Sequence, residues 1–531
     1  MKTFNNAGPS VQEMHYMINP LDRIDLSTIE SLIAEWRYFV LHAPRQTGKT
    51  TSLLALMQYL NEQGKYRALY VNIEGAQAAR GDVGRGMTAI TSALADAAAY
   101  YLRDERLRLW RTEMLPITGY EDLLRSLLAR WSEADPRPVV LMLDEVDALV
   151  GDTLISLLRQ IRAGYAQRPV AFPQTVILCG VRDVRDYRIH TSHNEIITGG
   201  SAFNIKAKSL RLGNFSQEET EALWRQHETD TGQKIDPAIY PELWEDTAGQ
   251  PWLVNALGYE VASEDRELRN RTQPITLERY KAARERLIQS RATHLDQLTD
   301  KLREERVRRV VSALLDGESM MAPIATDDLQ YVEDMGLIKS RPKLAITNRI
   351  YQEIIPRELT WTTQVTLNTH DQPWYVREDR RLDMPKLIAA FQQFFREHSE
   401  AWLERFEYKE AGPHLLMQAF LQRIVNGGGR INREYGLGRG RTDLFLEWPL
   451  DETQGYNGPV QRVVIELKLL RKAPETTLSQ GIVQTLEYAD RCGADEAHLI
   501  LFDRRPKISW NKRIWHKKVC HEDRTVFAWG A

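Results

Sequence analysis

Two groups of residues in this chain have the types and spacing for phosphate chemistry. The first is the run Ala43-Pro44-Arg45-Gln46-Thr47-Gly48-Lys49-Thr50, joined further on by Asp144 and Glu145. Successive backbone N–H groups in such a loop curl around phosphate oxygens, and a helix N-terminus behind them adds partial positive charge. Lys49 is spaced to reach the β- and γ-phosphates of a nucleotide, and the Thr50 hydroxyl to ligate Mg²⁺. An aspartate at a strand tip, as at Asp144, holds Mg²⁺ through its water shell, and Glu145 beside it can polarise the attacking water. Ala43 stands where the pattern has its first glycine, a departure that strains the backbone if the position needs a positive φ. The second group is Asp443, then Glu466-Leu467-Lys468, then Gln484 and Tyr488. An aspartate and a glutamate meeting at one point bind Mg²⁺ or Mn²⁺, which take oxygen ligands. The metal activates a water, and a lysine such as Lys468 counters the charge that develops on phosphate.

The elements that must position the first group read as strands and helices in alternation. Residues 38–41, 68–73, 139–143 and 175–179 are short apolar runs separated by helical stretches, the pattern of an open parallel sheet. Arg182 leaves the fourth run where a sensor would face a γ-phosphate; the alternative is a surface loop held by ion pairs. Ser216 and Glu219 form a capping box at the start of a helix. Residues 300–357 read as helix, helix and short hairpin, a winged-helix candidate. Its second helix carries Asp327, Asp328, Glu333 and Asp334. Phosphate repels those charges, which favours a structural or protein-contacting role over DNA reading.

The second group sits in a stretch of different character. Residues 359–384 are polar and weakly periodic and read as a linker, after which helical periodicity resumes at 386. Asp443 begins one strand. In the next, Glu466 and Lys468 point to the same side while Leu467 faces the core. Gln480, Gln484 and Tyr488 share one face of a helix over 478–490. Arg439 and Arg441 flank this group. The basic tail 504–518, with interleaved Trp510 and Trp515, can follow a phosphate backbone and offer stacking surfaces, or its tryptophans can belong to a final strand and helix in the core.

Both groups resemble known families. The phosphate loop and the turn Thr247-Ala248-Gly249-Gln250-Pro251-Trp252 resemble ATPases of the STAND and archaeal-ATPase type, over about the first two-thirds of the chain. That resemblance implies ATP and Mg²⁺ as cofactors and a helical lid whose Pro251 lies close to the nucleotide. Residues 385–531 resemble the PD-(D/E)XK nuclease superfamily. Asp443 is the first acid there, Glu466-Leu467-Lys468 the core triplet, and Gln484 with Tyr488 the Gln-x-x-x-Tyr element. Thr442 replaces the proline of the superfamily name. Glu410 matches an additional acid from the preceding helix, a role that Glu404 or Glu407 would also fill.

The whole chain sets outer bounds. Its 531 residues suffice for several domains. A net charge of -3 demands that any nucleic-acid surface be local. Three scattered cysteines, Cys179, Cys492 and Cys520, make neither a zinc set nor a disulfide framework, in keeping with a reducing cytoplasm. No apolar run approaches the ~20 residues of a membrane helix. The expected fold class is α/β. A P-loop NTPase parallel sheet spans 1–213, a helical lid 214–298, a winged helix 299–358, a linker 359–384 and a PD-(D/E)XK restriction-endonuclease-like domain 385–531. The expected function is an ATP-regulated, metal-dependent nuclease, with prokaryotic defence suggested by family analogy alone. Its expected partners are nucleic acid, DNA ahead of RNA, and a second copy in a homo-oligomer, with no membrane. One alternative is a nucleotide-controlled signalling scaffold whose C-terminal domain binds without cutting. The other is a motor ATPase stimulated by DNA.

Overall fold

The computed structural model describes residues 2–182, 188–190, 196–198, 203–290, 301–302, 304–315, 324–341, 344–355, 375–405, 412–425, 429–437, 440–451, 456, 458–470, 474–503, 505, 508–521 and 524–531. Within strands it describes only the backbone of 432–437 and 440–443. The chain forms two compact units, one of Met1–Ala283 with Glu333–Leu337, the other of Arg284–Val332 with Ile338–Ala531. Among the described residues, no helix is long and apolar enough to cross a membrane.

The first unit is built on strands β1 (Tyr38–His42), β2 (Arg67–Asn72), β3 (Val139–Asp144), β4 (Thr175–Gly180) and β7 (Lys206–Arg211). A short hairpin of β5 (Arg188–His190) and β6 (Ile196–Thr198) precedes β7. The five strands lie parallel in the order β2-β3-β4-β1-β7. This is an open parallel α/β sheet with helices on both faces. The first four strands are buried on both faces, because helices cover each side: α1 (Leu26–Ala34) and α2 (Lys49–Glu62) on one, α3 (Val83–Leu102), α4 (Arg106–Met114), α5 (Tyr120–Glu133) and α6 (Gly151–Gly164) on the other. Strand alternation sorts the side chains between two cores. Tyr38, Val40, Leu69, Leu141 and Leu178 join α3, α5 and α6. Phe39, Leu41, Tyr70, Met142 and Cys179 join α1 and α2. The chain leaves β1 for the far edge at β2 and returns through β3 and β4. The C-terminal ends of β1, β4 and β3 therefore stand side by side, the place where open α/β sheets bind ligands. Helices α7 (Gln217–Thr231), α8 (Ile239–Thr247) and α9 (Pro251–Tyr259) follow the sheet, and the expected capping box of Ser216 and Glu219 starts α7.

The second unit contains α11 (Glu305–Leu315) and most of α12 (Thr326–Asp334), which follow α10 (Leu277–Gln289), and a two-stranded hairpin of β8 (Ile338–Lys339) and β9 (Ala345–Ile346). Part of the negative charge of α12 is used internally: Asp328 pairs with Arg309 at 2.9 Å and with Arg306 at 3.4 Å. The unit's six-stranded sheet has the order β10-β11-β12-β13-β15-β14. Its strands are β10 (Arg430–Leu437), β11 (Gly440–Pro449), β12 (Val460–Leu469), β13 (Glu496–Phe502), β14 (Trp515–His521) and β15 (Arg524–Gly530). The pairs β12–β13 and β13–β15 are parallel and the others antiparallel. Helices α13 (Met384–Arg405) and α14 (Gly412–Val425) cover one face, where Val463, Ile465, Leu467 and Phe502 are buried. Helix α15 (Pro474–Cys492) covers the other, over Val464, Phe445, Leu499 and Leu501.

Candidate functional site

The loop between β1 and α2 is shaped by two left-handed residues, Gln46 at φ 57° and Gly48 at φ 90°. Ala43 is not among the left-handed residues: it is fully buried, and its N–H donates to the Gly180 carbonyl at 3.2 Å. The missing first glycine is therefore tolerated without backbone strain. Gly48 cannot be exchanged in the same way. A Cβ there would lie 2.7 Å from Arg23 Nη1, at a φ that side chains avoid. The Thr47 hydroxyl donates to the Pro44 carbonyl at 2.8 Å and braces the loop from within. Lys49, 6% exposed, donates through Nζ to the carbonyls of Ala43 at 3.1 Å and Pro44 at 3.0 Å. Arg45 and Gln46 are exposed on the outside of the loop.

Thr50 meets Asp144 across the strand ends. Its Oγ1 donates to Asp144 Oδ2 at 2.8 Å, and the Glu145 N–H donates to Asp144 Oδ1 at 2.9 Å. Asp144 is completely buried. Glu145 adopts a left-handed backbone, φ 60° and ψ 38°, which turns the chain sharply at the strand tip. Burial raises the Glu145 carboxyl above its ordinary value; Lys49 pulls against this, while Asp147 and Asp144 add to it. Asp147 also accepts from the Val181 N–H at 3.1 Å, which fixes the exit of β4 just before the half-exposed Arg182.

Pro251 is the first residue of α9, whose N-terminus is capped by the Gln250 side chain accepting from the Leu253 N–H at 2.6 Å. The turn ahead of it is clasped to the start of the helical segment, the Phe215 N–H donating to the Gly249 carbonyl at 2.9 Å. Arg23, which no motif marks, links this clasp to the phosphate loop. Its Nη1 donates to the Thr47 carbonyl at 2.6 Å, its Nη2 to the Gly213 carbonyl at 2.7 Å, and its guanidinium lies 4.6 Å from the Phe215 ring centre. Burial draws Arg23 down to about 10, so it remains charged at neutral pH. Sequence reading missed Arg23 because a lone arginine ahead of a helix carries no signature. Gln46, Glu145 and Ala248 are three of the non-glycine residues with positive φ, one on each segment of this site, and such strain gathers where function holds it.

In the second unit, Glu466 is 1% exposed on the α15 face of β12, and Lys468 Nζ lies 3.0 Å from its Oε1. Leu467 packs on the opposite face, under α13 and α14. Gln484 Nε2 donates to the Tyr488 hydroxyl at 2.8 Å, and the Tyr488 ring packs on Val464 and Phe445 of the same sheet face. Position 443 lies one residue beyond the last register pair of β11 with β12, Leu444 with Ile465. The side chains of Asp443 and Arg441, and all of Arg439 and Glu410, lie outside the described residues. Among the described residues no group of three His, Cys, Asp or Glu is placed to hold a metal. Trp510 packs against the core under α13 and Trp515 against that under α15, whereas Lys512, Lys517 and Lys518 are exposed.

No family model and no curated protein matches the chain. Solved structures do. The Walker-type ATPase PABY2304 of Pyrococcus abyssi aligns over 66% of this chain and 99% of its own, at 13% identity and a TM-score of 0.44. Cdc6p from Pyrobaculum aerophilum aligns over 63% and 93%, at 14% identity and a TM-score of 0.35. Thermotoga maritima RuvB, a Holliday junction branch migration motor, aligns over 62% and 95%, at 12% identity and a TM-score of 0.33. Likeness at this level carries nothing about activity.

Proposed function

We propose that this protein binds and hydrolyses ATP with Mg²⁺ in its first unit, and that nucleotide state governs metal-dependent cutting of nucleic acid, DNA ahead of RNA, by its second. The nucleotide half rests on one observation above all. The Thr50 hydroxyl and the Asp144 carboxylate, 94 residues apart, meet at 2.8 Å where β1 and β3 end. This pair supplies only oxygen donors, the kind a hard divalent cation takes, so the residues fit Mg²⁺. Thr50 and Asp144 would hold such an ion, which would offset phosphate charge. The chain's own groups do the rest. The loop N–H groups and Lys49 hold the phosphates; with two N–H groups on the carbonyls of Ala43 and Pro44, the ammonium keeps a third for the nucleotide. Glu145, made more basic by burial, orients water and accepts its proton. Arg182 is the cation offered to the γ-phosphate.

Glu466 and Lys468, paired on the sheet face that α15 covers, and Gln484 on α15 itself support the nuclease half, with Asp443 as the partner acid and Glu410 as an additional one. A second reading has its own observation. Glu466 is almost fully buried and its carboxylate is already engaged by Lys468, which a domain that binds without cutting would also tolerate. Supercoiled and linear DNA incubated with Mg²⁺ or Mn²⁺, with and without ATP, separates the two. Cutting by the wild type that Asp443→Ala or Lys468→Ala abolishes supports the nuclease. Absence of cutting on any DNA or RNA, with ATP still bound, leaves the nucleotide-controlled scaffold.

A further inference from the structure

Tyr70 belongs to none of the motifs above, yet its hydroxyl reaches the centre of the nucleotide site. It sits on β2, opposite Met142 of β3, and is 5% exposed. Its side chain runs along the strand to the tip of β3, where the phenol donates to Asp144 Oδ2 at 3.0 Å. Thr50 Oγ1 donates to that same oxygen. The Glu145 N–H holds the other oxygen, and the buried Cys179 thiol on β4 faces the same carboxylate. The ring is fixed from its other side by Tyr101, edge-on at 6.2 Å between centres.

We propose that Tyr70 is the positioning residue of the cation site: its phenol sets the rotation of the Asp144 carboxylate, so that Thr50 and Asp144 together present a preformed place for Mg²⁺. This deepens the reading of the first unit as a Mg²⁺-nucleotide site and rests on it. A carboxylate turns about a single bond, and a buried one with a single side-chain donor has more than one orientation open to it. Two donors on Oδ2 and one on Oδ1 leave one orientation. Residues that touch a metal ligand rather than the metal act in this way, and their loss typically weakens metal affinity about 10- to 100-fold.

Tyr70→Phe removes one O–H and keeps the ring. The measurement is ATP affinity by calorimetry, in EDTA and across a Mg²⁺ titration, for wild type, Tyr70→Phe and Tyr101→Phe. The expected result is affinity in EDTA unchanged within about twofold and half-saturating Mg²⁺ raised roughly tenfold in Tyr70→Phe alone. In an Asp144→Asn background, adding Tyr70→Phe is expected to change nothing further. A Mg²⁺ dependence equal to that of wild type overturns the proposal, as does an equal loss in Tyr101→Phe. Tyr70→Met, which fills the space without a hydroxyl, takes the place of the Phe variant if that does not fold. Wild type that binds no ATP in either condition overturns the nucleotide reading itself, an outcome distinct from a Mg²⁺-insensitive variant.

Discussion

At the scale of single residues, the proposed nucleotide site is defined by groups held away from their ordinary state. Glu145 combines a left-handed backbone with a carboxyl that burial raises above its ordinary value of 4.5. A general base acts only when deprotonated, so hydrolysis should fall as pH drops through that raised value. The acid limb of the pH–rate profile is therefore expected above the usual glutamate range. Glu145→Gln should lower kcat by about 100-fold or more and leave ATP affinity nearly unchanged. A rate that stays flat as pH falls through and below the ordinary glutamate range would contradict the role. The same attention to residue detail separates Ala43 from Gly48. One replaces the first glycine of the pattern without strain, while the other is fixed by its φ and by Arg23.

At the scale of elements, two junctions hold the first unit in shape. One is the clasp between Phe215 and the Gly249 turn. Gly249 has φ 67°, and a Cβ there would lie 2.1 Å from the Phe215 carbonyl oxygen. Gly249→Ala is expected to cost about 2–3 kcal/mol and to speed amide exchange at Phe215. Equilibrium denaturation with hydrogen exchange measures both, and exchange unchanged at Phe215 would show that the clasp is not needed. The other junction is the buried pair of Arg67 on β2 and Asp104 after α3, to which Arg106, Trp131 and Asp135 contribute. Burial opposes the charge on Asp104, but hydrogen bonds from Arg106 and Trp131 and the Arg67 charge hold its carboxyl well below the ordinary range. For a depressed carboxylate, the stabilising contribution is present above the unfolded value, about 3.9, and is lost as pH falls through the folded one. Asp104→Asn should destabilise by about 3 kcal/mol at pH 7, because it leaves buried arginine charge short of a partner. That difference should shrink in acid, as denaturation at pH 7 and pH 3 would show.

At the scale of the molecule, single substitutions can address the two proposed active units separately. Lys49→Ala is expected to abolish ATP binding. Glu466→Gln is expected to leave ATP hydrolysis within about twofold of wild type and to remove nucleic-acid cutting, since the two sets of residues share no member. Calorimetry with ATP, phosphate release and a nuclease assay on the same preparations give the comparison. If Glu466→Gln cut DNA as wild type does, Glu466 would be a structural partner of Lys468 and the cleft reading would fall. If Lys49→Ala left both ATP binding and cutting intact, nucleotide control would fall with it.

The sequence alone determined the alternation of strands and helices, because period and apolar runs are local properties that survive without a partner. It determined the phosphate loop, the acidic tip of β3, the capping box at Ser216, and the placing of Glu466 and Lys468 on one side of a strand with Leu467 on the other. Tertiary structure alone decided which strands became neighbours. The jump from β1 to β2 and the return through β3 and β4 bring Thr50 to Asp144, and nothing in the residues between them records that order. It also decided the parts played by Tyr70 and Arg23. An aromatic in a buried strand reads as core, and an arginine before a helix reads as surface. Each acquires a partner only when chain segments distant in sequence fold against it, since a hydrogen bond depends on where two atoms end up and not on how many residues lie between them.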